Sequence, residues 1–152
     1  NRNFFIVGCG GAAKAAAFAL ADAGAGKIFL KDIDAVKAES LKKRLNRFAP
    51  SLPVFMSGDF SELKNCDIVI NATPLGMADE RISVPAEFLH DGLYVFECIY
   101  NRETPLLRAA SEKGLRYQNG LNMLVYQAAD SFIFWTGEKA PVELMKNLAK
   151  KS

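Results

Sequence analysis

Phe4-Phe5-Ile6-Val7-Gly8-Cys9-Gly10-Gly11-Ala12-Ala13 decides the fold: an apolar run ends in a glycine turn that passes straight into an alanine-rich segment. That order predicts a short buried strand, a tight turn and a helix. Read as G-x-G-x-x-A, the stretch fits a dinucleotide-binding fingerprint in the context such a motif requires. Gly8 permits the tight turn, and Gly10 leaves no side chain between the backbone and a pyrophosphate. Ala13 lets helix and strand pack closely while the helix N-terminus faces the anion. Eight alanines lie between Gly11 and Gly24. Alanine favours helix and allows close approach to a sheet, and Gly24 and Gly26 supply the stop.

Working outward, short apolar runs alternate with segments of helical period, the pattern of βαβ units. Strands are expected at residues 4–7, 27–31, 53–56, 67–70, 93–97 and 115–118. A second helix is expected to run from a cap at Asp34 or the residue before it to about Phe48. A third begins at the Thr104-Pro105 pair and ends near Gly114. Leu121 to Thr136 forms another, stopped by Gly137, and Pro141 opens the last. The fold class is therefore α/β, a Rossmann-type doubly wound, mostly parallel six-stranded sheet with helices on both faces. One dinucleotide-binding domain is expected over residues 1–152.

Composition narrows the function classes. Half of the 152 residues are apolar and 24% are charged, which suits a folded soluble chain. The net charge of +2 comes from well-mixed charges, without the basic bias of a nucleic-acid or membrane-surface binder. No apolar stretch approaches the roughly 20 residues that cross a bilayer. Cys9, Cys66 and Cys98 are odd in number and widely spaced, which argues against a disulfide framework or a zinc site and for a reducing cytoplasm. They read as small hydrophobes. His90 is the only histidine, so no two-histidine metal site exists in this sequence. It reads as a solvated loop side chain.

The candidate binding residues follow the strand ends. Asp32 stands 24 positions after Gly8, near the spacing at which a carboxylate meets an adenosine ribose. Its other reading is a helix cap, a role that Asp34 can fill instead. Asn71-Ala72-Thr73-Pro74-Leu75-Gly76-Met77 follows the fourth strand and is read either as a cofactor-facing loop or as a plain turn set by Pro and Gly. Tyr100 and Asn101 follow the fifth strand, and Gly120, Met123 and Gln127 open a long helix at the same edge.

Five motifs occur in order: Gly8-x-Gly10-Gly11-Ala12-Ala13; Asn71-Ala72-Thr73-Pro74-Leu75-Gly76-Met77; Tyr100-Asn101 with Glu103-Thr104-Pro105-Leu106-Leu107; Gly120-Leu121-x-Met123-Leu124-x-x-Gln127-Ala128; and Trp135-Thr136-Gly137. Together they resemble the C-terminal NAD(P)-binding domain of shikimate and quinate/shikimate dehydrogenases. The resemblance implies hydride transfer between a nicotinamide dinucleotide and a ring hydroxyl or ketone of shikimate or quinate, in aromatic amino acid biosynthesis. It also implies that the catalytic Lys and Asp lie in an N-terminal domain absent from these residues, so that this chain alone is inactive. An excised domain or a stand-alone relative is then expected.

Carried over by position, Gly8, Gly10, Gly11 and Ala12 match the pyrophosphate loop. Ala72 and Thr73 match the adenosine and ribose side. Cys98, Tyr100, Gly120 and Met123 match positions near the nicotinamide, and Gln127 matches a glutamine facing the substrate. Where the family commonly has Asn-Arg-Thr, whose Arg grips the 2′-phosphate of NADP, this sequence has Asp32-Ile33-Asp34. The second glycine of Gly-Leu-Gly-Met is Asn122. NAD is accordingly expected to be preferred over NADP. Lys31 is the chief rival to that expectation: on a strand its side chain points away from Asp32, but a twisted strand end brings it to the phosphate. Lys37 is the lesser rival. Bare apolar surface from Phe132 to Trp135 and on the last helix predicts self-association. The alternatives are a non-catalytic NAD(P)-binding module, and a methylenetetrahydrofolate or glutamyl-tRNA reductase type relative.

Overall fold

The computed structural model describes residues 1–150. Its strands are β1 (Asn3–Val7), β2 (Lys27–Lys31), β3 (Val54–Met56), β4 (Ile68–Asn71), β5 (Tyr94–Glu97) and β6 (Arg116–Gln118). The helices are α1 (Gly11–Asp22), α2 (Ala35–Phe48), α3 (Pro105–Glu112), α4 (Leu121–Thr136) and α5 (Val142–Ala149). The strand order is β3-β2-β1-β4-β5-β6, and every neighbouring pair is parallel. This is the expected doubly wound α/β fold, with strand limits within one residue of those read from the sequence. Both edge strands are only three residues long, which limits the unpaired backbone open to another chain.

Alternation along β1 shows how both faces are covered. Phe4 and Ile6 pack with Ala13 and Ala17 of α1 and Ala38, Leu41 and Leu45 of α2. Phe5 and Val7 point the other way, toward Leu106, Leu107 and Ala110 of α3. Two 3-10 turns, Ser61–Asn65 and Ala86–Phe88, complete that second layer. They have no counterpart in the sequence reading, because three to five residues are too few to display a period. Leu41 and Leu45 are fully buried, each contributing about 2 kcal/mol of apolar transfer. Beyond β6, α4 and α5 pack against one another.

Asp34 caps α2, its carboxylate accepting from the Val36 and Lys37 N–H groups. Thr104 caps α3 through the Leu107 N–H, with Pro105 in the first turn. Helix α1 has Gly10 at its N-cap, with no side-chain cap and no carboxylate in its first turn.

Candidate functional site

The direction of winding reverses between β1 and β4, whose last residues Val7 and Asn71 are paired. Their following loops diverge there and open a crevice. Gly8 leaves β1 at φ +90°, and a Cβ at this position would meet the Ala72 carbonyl oxygen at 2.8 Å. Only glycine serves, both for the backbone conformation and for the contact. Behind it, Gly10 is exposed and α1 directs its uncapped N-terminus toward the opening, where unpaired N–H groups and the helix dipole favour an anion.

A cleft of about 940 Å³ runs along this edge, lined by Gly8, Gly10, Asp32 and Thr73 among others. The Asp32 carboxylate is fixed at its wall. Its Oδ2 accepts from the Cys9 N–H at 2.6 Å and its Oδ1 from the Asp34 N–H at 2.8 Å. With Asp34 capping α2, Asp32 ties the glycine turn to the end of β2 and keeps lone pairs available to a ligand. A smaller hollow of about 320 Å³ lies on the far side of Ala72, Thr73 and Pro74, which line both; Ala12, Cys98, Tyr100 and Met123 are among its other walls.

Under this edge lies a buried polar group that sequence reasoning missed. Glu97 is fully buried at the end of β5. It accepts from Asn71 Nδ2 at 2.9 Å to each carboxylate oxygen, from the Thr104 hydroxyl at 3.0 Å and from the Ile99 N–H at 3.1 Å. Burial pushes its carboxyl above the ordinary glutamate value, against the pull of these donors. Asn71 in turn accepts from the Thr73 N–H and hydroxyl at 3.0 and 2.7 Å. One network thus sets the loops after β4 and β5 and the start of α3. The only sequence signal was a Glu closing an otherwise apolar strand.

Residues 120–150 match the profile of the shikimate 5′-dehydrogenase C-terminal domain. The shikimate dehydrogenase (NADP(+)) of Moorella thermoacetica is 38% identical, the alignment covering 97% of this chain and 52% of that protein. This chain is homologous to the C-terminal part of shikimate dehydrogenases. It spans about half the length of the curated relatives it matches. A solved shikimate dehydrogenase in complex with NADP+ superposes with a TM-score of 0.88 at 36% identity, covering 99% of this chain and 54% of that one. The quinate dehydrogenase of Corynebacterium glutamicum in complex with NAD gives 0.88 at 29% identity, covering 96% and 54%.

Most of the residues singled out from the sequence line one or both hollows. Gly8, Gly10, Asp32, Ala72 and Thr73 line the larger cleft, and Ala12, Ala72, Thr73, Cys98, Tyr100 and Met123 line the smaller. Gly11, Gly120 and Gln127 line neither. Gly11 is exposed at the start of α1, and Gln127 is exposed one turn beyond Met123. Gly120 is buried for a packing reason: a Cβ there would lie 2.1 Å from the Cys98 carbonyl oxygen. Asn71 turns its side chain inward to Glu97, so the loop it begins faces the cleft without it.

One alternative is decided and one expectation needs correction. Of the two placements open to Lys31, the structure shows the one at the cleft. At the twisted end of β2 Lys31 lines the same cleft as Asp32, its ammonium hydrogen-bonded to the Gly58 carbonyl and 5.1 Å from the centre of the Phe60 ring. His90 is not a freely solvated side chain. Its ring nitrogens lie 3.0 and 3.2 Å from the Asp91 and Leu63 carbonyl oxygens, at the amino ends of the strands and opposite the cleft. The cysteines are free, and burial pushes Cys9 and Cys98 up to about 11 and Cys66 to about 12. That suits small hydrophobes rather than nucleophiles. Among the described residues, no helix is long and apolar enough to cross a membrane, and no cluster of metal-ligating side chains occurs.

Proposed function

We propose that the chain is the dinucleotide-binding half of a shikimate or quinate dehydrogenase. The observation that carries this reading is the glycine turn tied to Asp32 at the mouth of a cleft large enough for an extended ligand. The residues fit such a group: a Cβ at Gly8 would close the cradle, and α1 offers uncapped N–H groups to an anion. When bound, a nicotinamide dinucleotide supplies the acceptor or donor of a hydride exchanged with a ring carbon of the substrate. Gly8, Gly10, Gly11 and Ala12 would seat its pyrophosphate, Asp32 would accept from the ribose hydroxyls, and Ala72 and Thr73 would flank that half. Cys98, Tyr100 and Met123 would wall the nicotinamide end, with Gly120 supporting Cys98 from behind. Gln127 would reach the substrate.

The resemblance places the proton-transferring Lys and Asp in a further domain; at this edge Lys31 and Asp32 are held by the Gly58 carbonyl and by the Cys9 and Asp34 N–H groups, and the one histidine lies at the other end of the sheet. Acid-base assistance and positioning account for many orders of magnitude in rate. The catalytic Lys and Asp then belong to a further domain, and these residues alone are expected to show no turnover of shikimate or quinate with either dinucleotide. Activity that survives repurification would overturn this. Three unpaired thiols suit a reducing cytoplasm.

For the cofactor we infer a preference for NAD, although relatives include proteins named for NADP(+). Ile33 stands fully exposed in the place of the phosphate-gripping Arg. The cations lining the cleft are engaged: Lys31 with the Gly58 carbonyl, Lys37 with Asp34 at 3.6 Å, and Arg81 with Asp79 at 2.6 Å. A 2′-phosphate would meet the Asp32 carboxylate with no free guanidinium beside it. Calorimetric titration should give at least about tenfold tighter binding of NAD, narrowed by Asp32→Ala. Equal or tighter binding of NADP would overturn the preference.

A further inference from the structure

We propose that the Ser83 hydroxyl makes a hydrogen bond to the adenine base of the dinucleotide. The proposal rests on the reading of the larger cleft as a dinucleotide site and names a contact within it.

Ser83 is 5% exposed and lines the larger cleft, yet its Oγ is closed off from solvent without a hydrogen-bond partner in the protein, and rotation about χ1 would turn it to a ligand in the cleft. The other buried polar side chains, Asn71, Glu97 and Thr104, are joined in one hydrogen-bonded network. A buried hydroxyl without a partner is costly, and native interiors rarely keep one. Its surroundings define the missing partner. Ile33, Phe60, Leu75 and Ile82 line the same cleft as Asp32, so a ribose held by that carboxylate would carry its base among apolar side chains. Ile33 is fully exposed in the free chain, and a flat aromatic ring laid over it would cover apolar surface otherwise left in water. Apolar walls with a few placed polar groups are the usual form of a site for a heteroaromatic ring, and Ser83 is the one among them that is buried without a partner. A serine hydroxyl both donates and accepts, so it can meet a ring nitrogen or the exocyclic amine of adenine.

The test measures binding and stability on the same variant. Ser83→Ala should bind NAD about three- to tenfold more weakly than the unaltered chain, the range of one hydrogen bond. ADP-ribose, which keeps the adenine but lacks the nicotinamide, should weaken by the same factor. The melting temperature of the free variant should be unchanged or higher, because an unpaired buried hydroxyl has been removed. Unchanged affinity for NAD would overturn the contact. A clear fall in melting temperature would overturn it too, since the hydroxyl would then serve the fold. An unaltered chain that binds neither NAD nor NADP overturns the dinucleotide reading itself, and the Ser83 contact with it.

Discussion

At Gly120 the backbone is ordinary, with φ of −75°, and the restriction is one of space. An added Cβ would lie 2.1 Å from the Cys98 carbonyl oxygen and 2.7 Å from its carbon, both rigid backbone atoms. Gly120→Ala must move α4 away from the end of β5. A loss of about 3 kcal/mol is expected in urea unfolding; a loss below 0.5 kcal/mol would show that the helix start adjusts freely. Asp79 poses a different question at the same scale. Hydrogen bonds from Arg81, from its side chain first and its N–H second, and from the Gly76 N–H hold its carboxyl down at about 2. Because the folded value lies below the ordinary 3.8, the folded state resists protonation more than the unfolded chain. Its contribution is present above that value and is lost as pH falls toward 2. Asp79→Asn should flatten the acid limb of the stability curve in that window. An unchanged limb would place the acid sensitivity elsewhere.

Among the elements, α2 and α3 both begin at a side-chain cap, but the two caps sit in different surroundings. Asp34 is partly exposed and serves α2, with an exposed ion pair to Lys37. Thr104 is 1% exposed, and while its oxygen accepts from the Leu107 N–H its hydroxyl donates to Glu97. Asp34→Ala should cost about 1 kcal/mol, the usual value of a cap. Thr104→Ala should cost about 2 kcal/mol or more, because a buried carboxylate also loses a donor. Equal losses in urea unfolding would mean that Glu97 is sustained by Asn71 and the Ile99 N–H alone. Both helix starts were legible in the sequence, Thr104 through the proline after it and Asp34 through the lysine-rich helical segment that follows. The link from Thr104 to Glu97 was not, since a contact between a cap and the neighbouring strand end depends on how the loop between them folds.

Across the whole molecule, one end remains apolar and open to water. Phe134 and Trp135 are 84% and 79% exposed, and Leu144 and Leu148 are more than half exposed on the adjoining helix. Large bare patches of this kind tend to be covered by a partner. Sedimentation should therefore find concentration-dependent self-association that Trp135→Glu weakens; a clean monomer at high concentration would overturn this. By itself, the sequence determined the order of strands and helices, the helix-stopping glycines and the glycine turn, because these follow from periodicity and from backbone freedom that neighbouring residues control. It also pointed to the cleft-lining pairing of Gly8 with Asp32, through their spacing along a βαβ unit. Only the tertiary structure decided which of its two placements Lys31 takes, that Gly120 serves packing, and that Gln127 stands clear of both hollows. The Glu97 network and the orphaned Ser83 hydroxyl belong with these. Each depends on groups far apart in the chain meeting within hydrogen-bond or contact distance, and burial is a property of the packed whole that no local run of residues encodes.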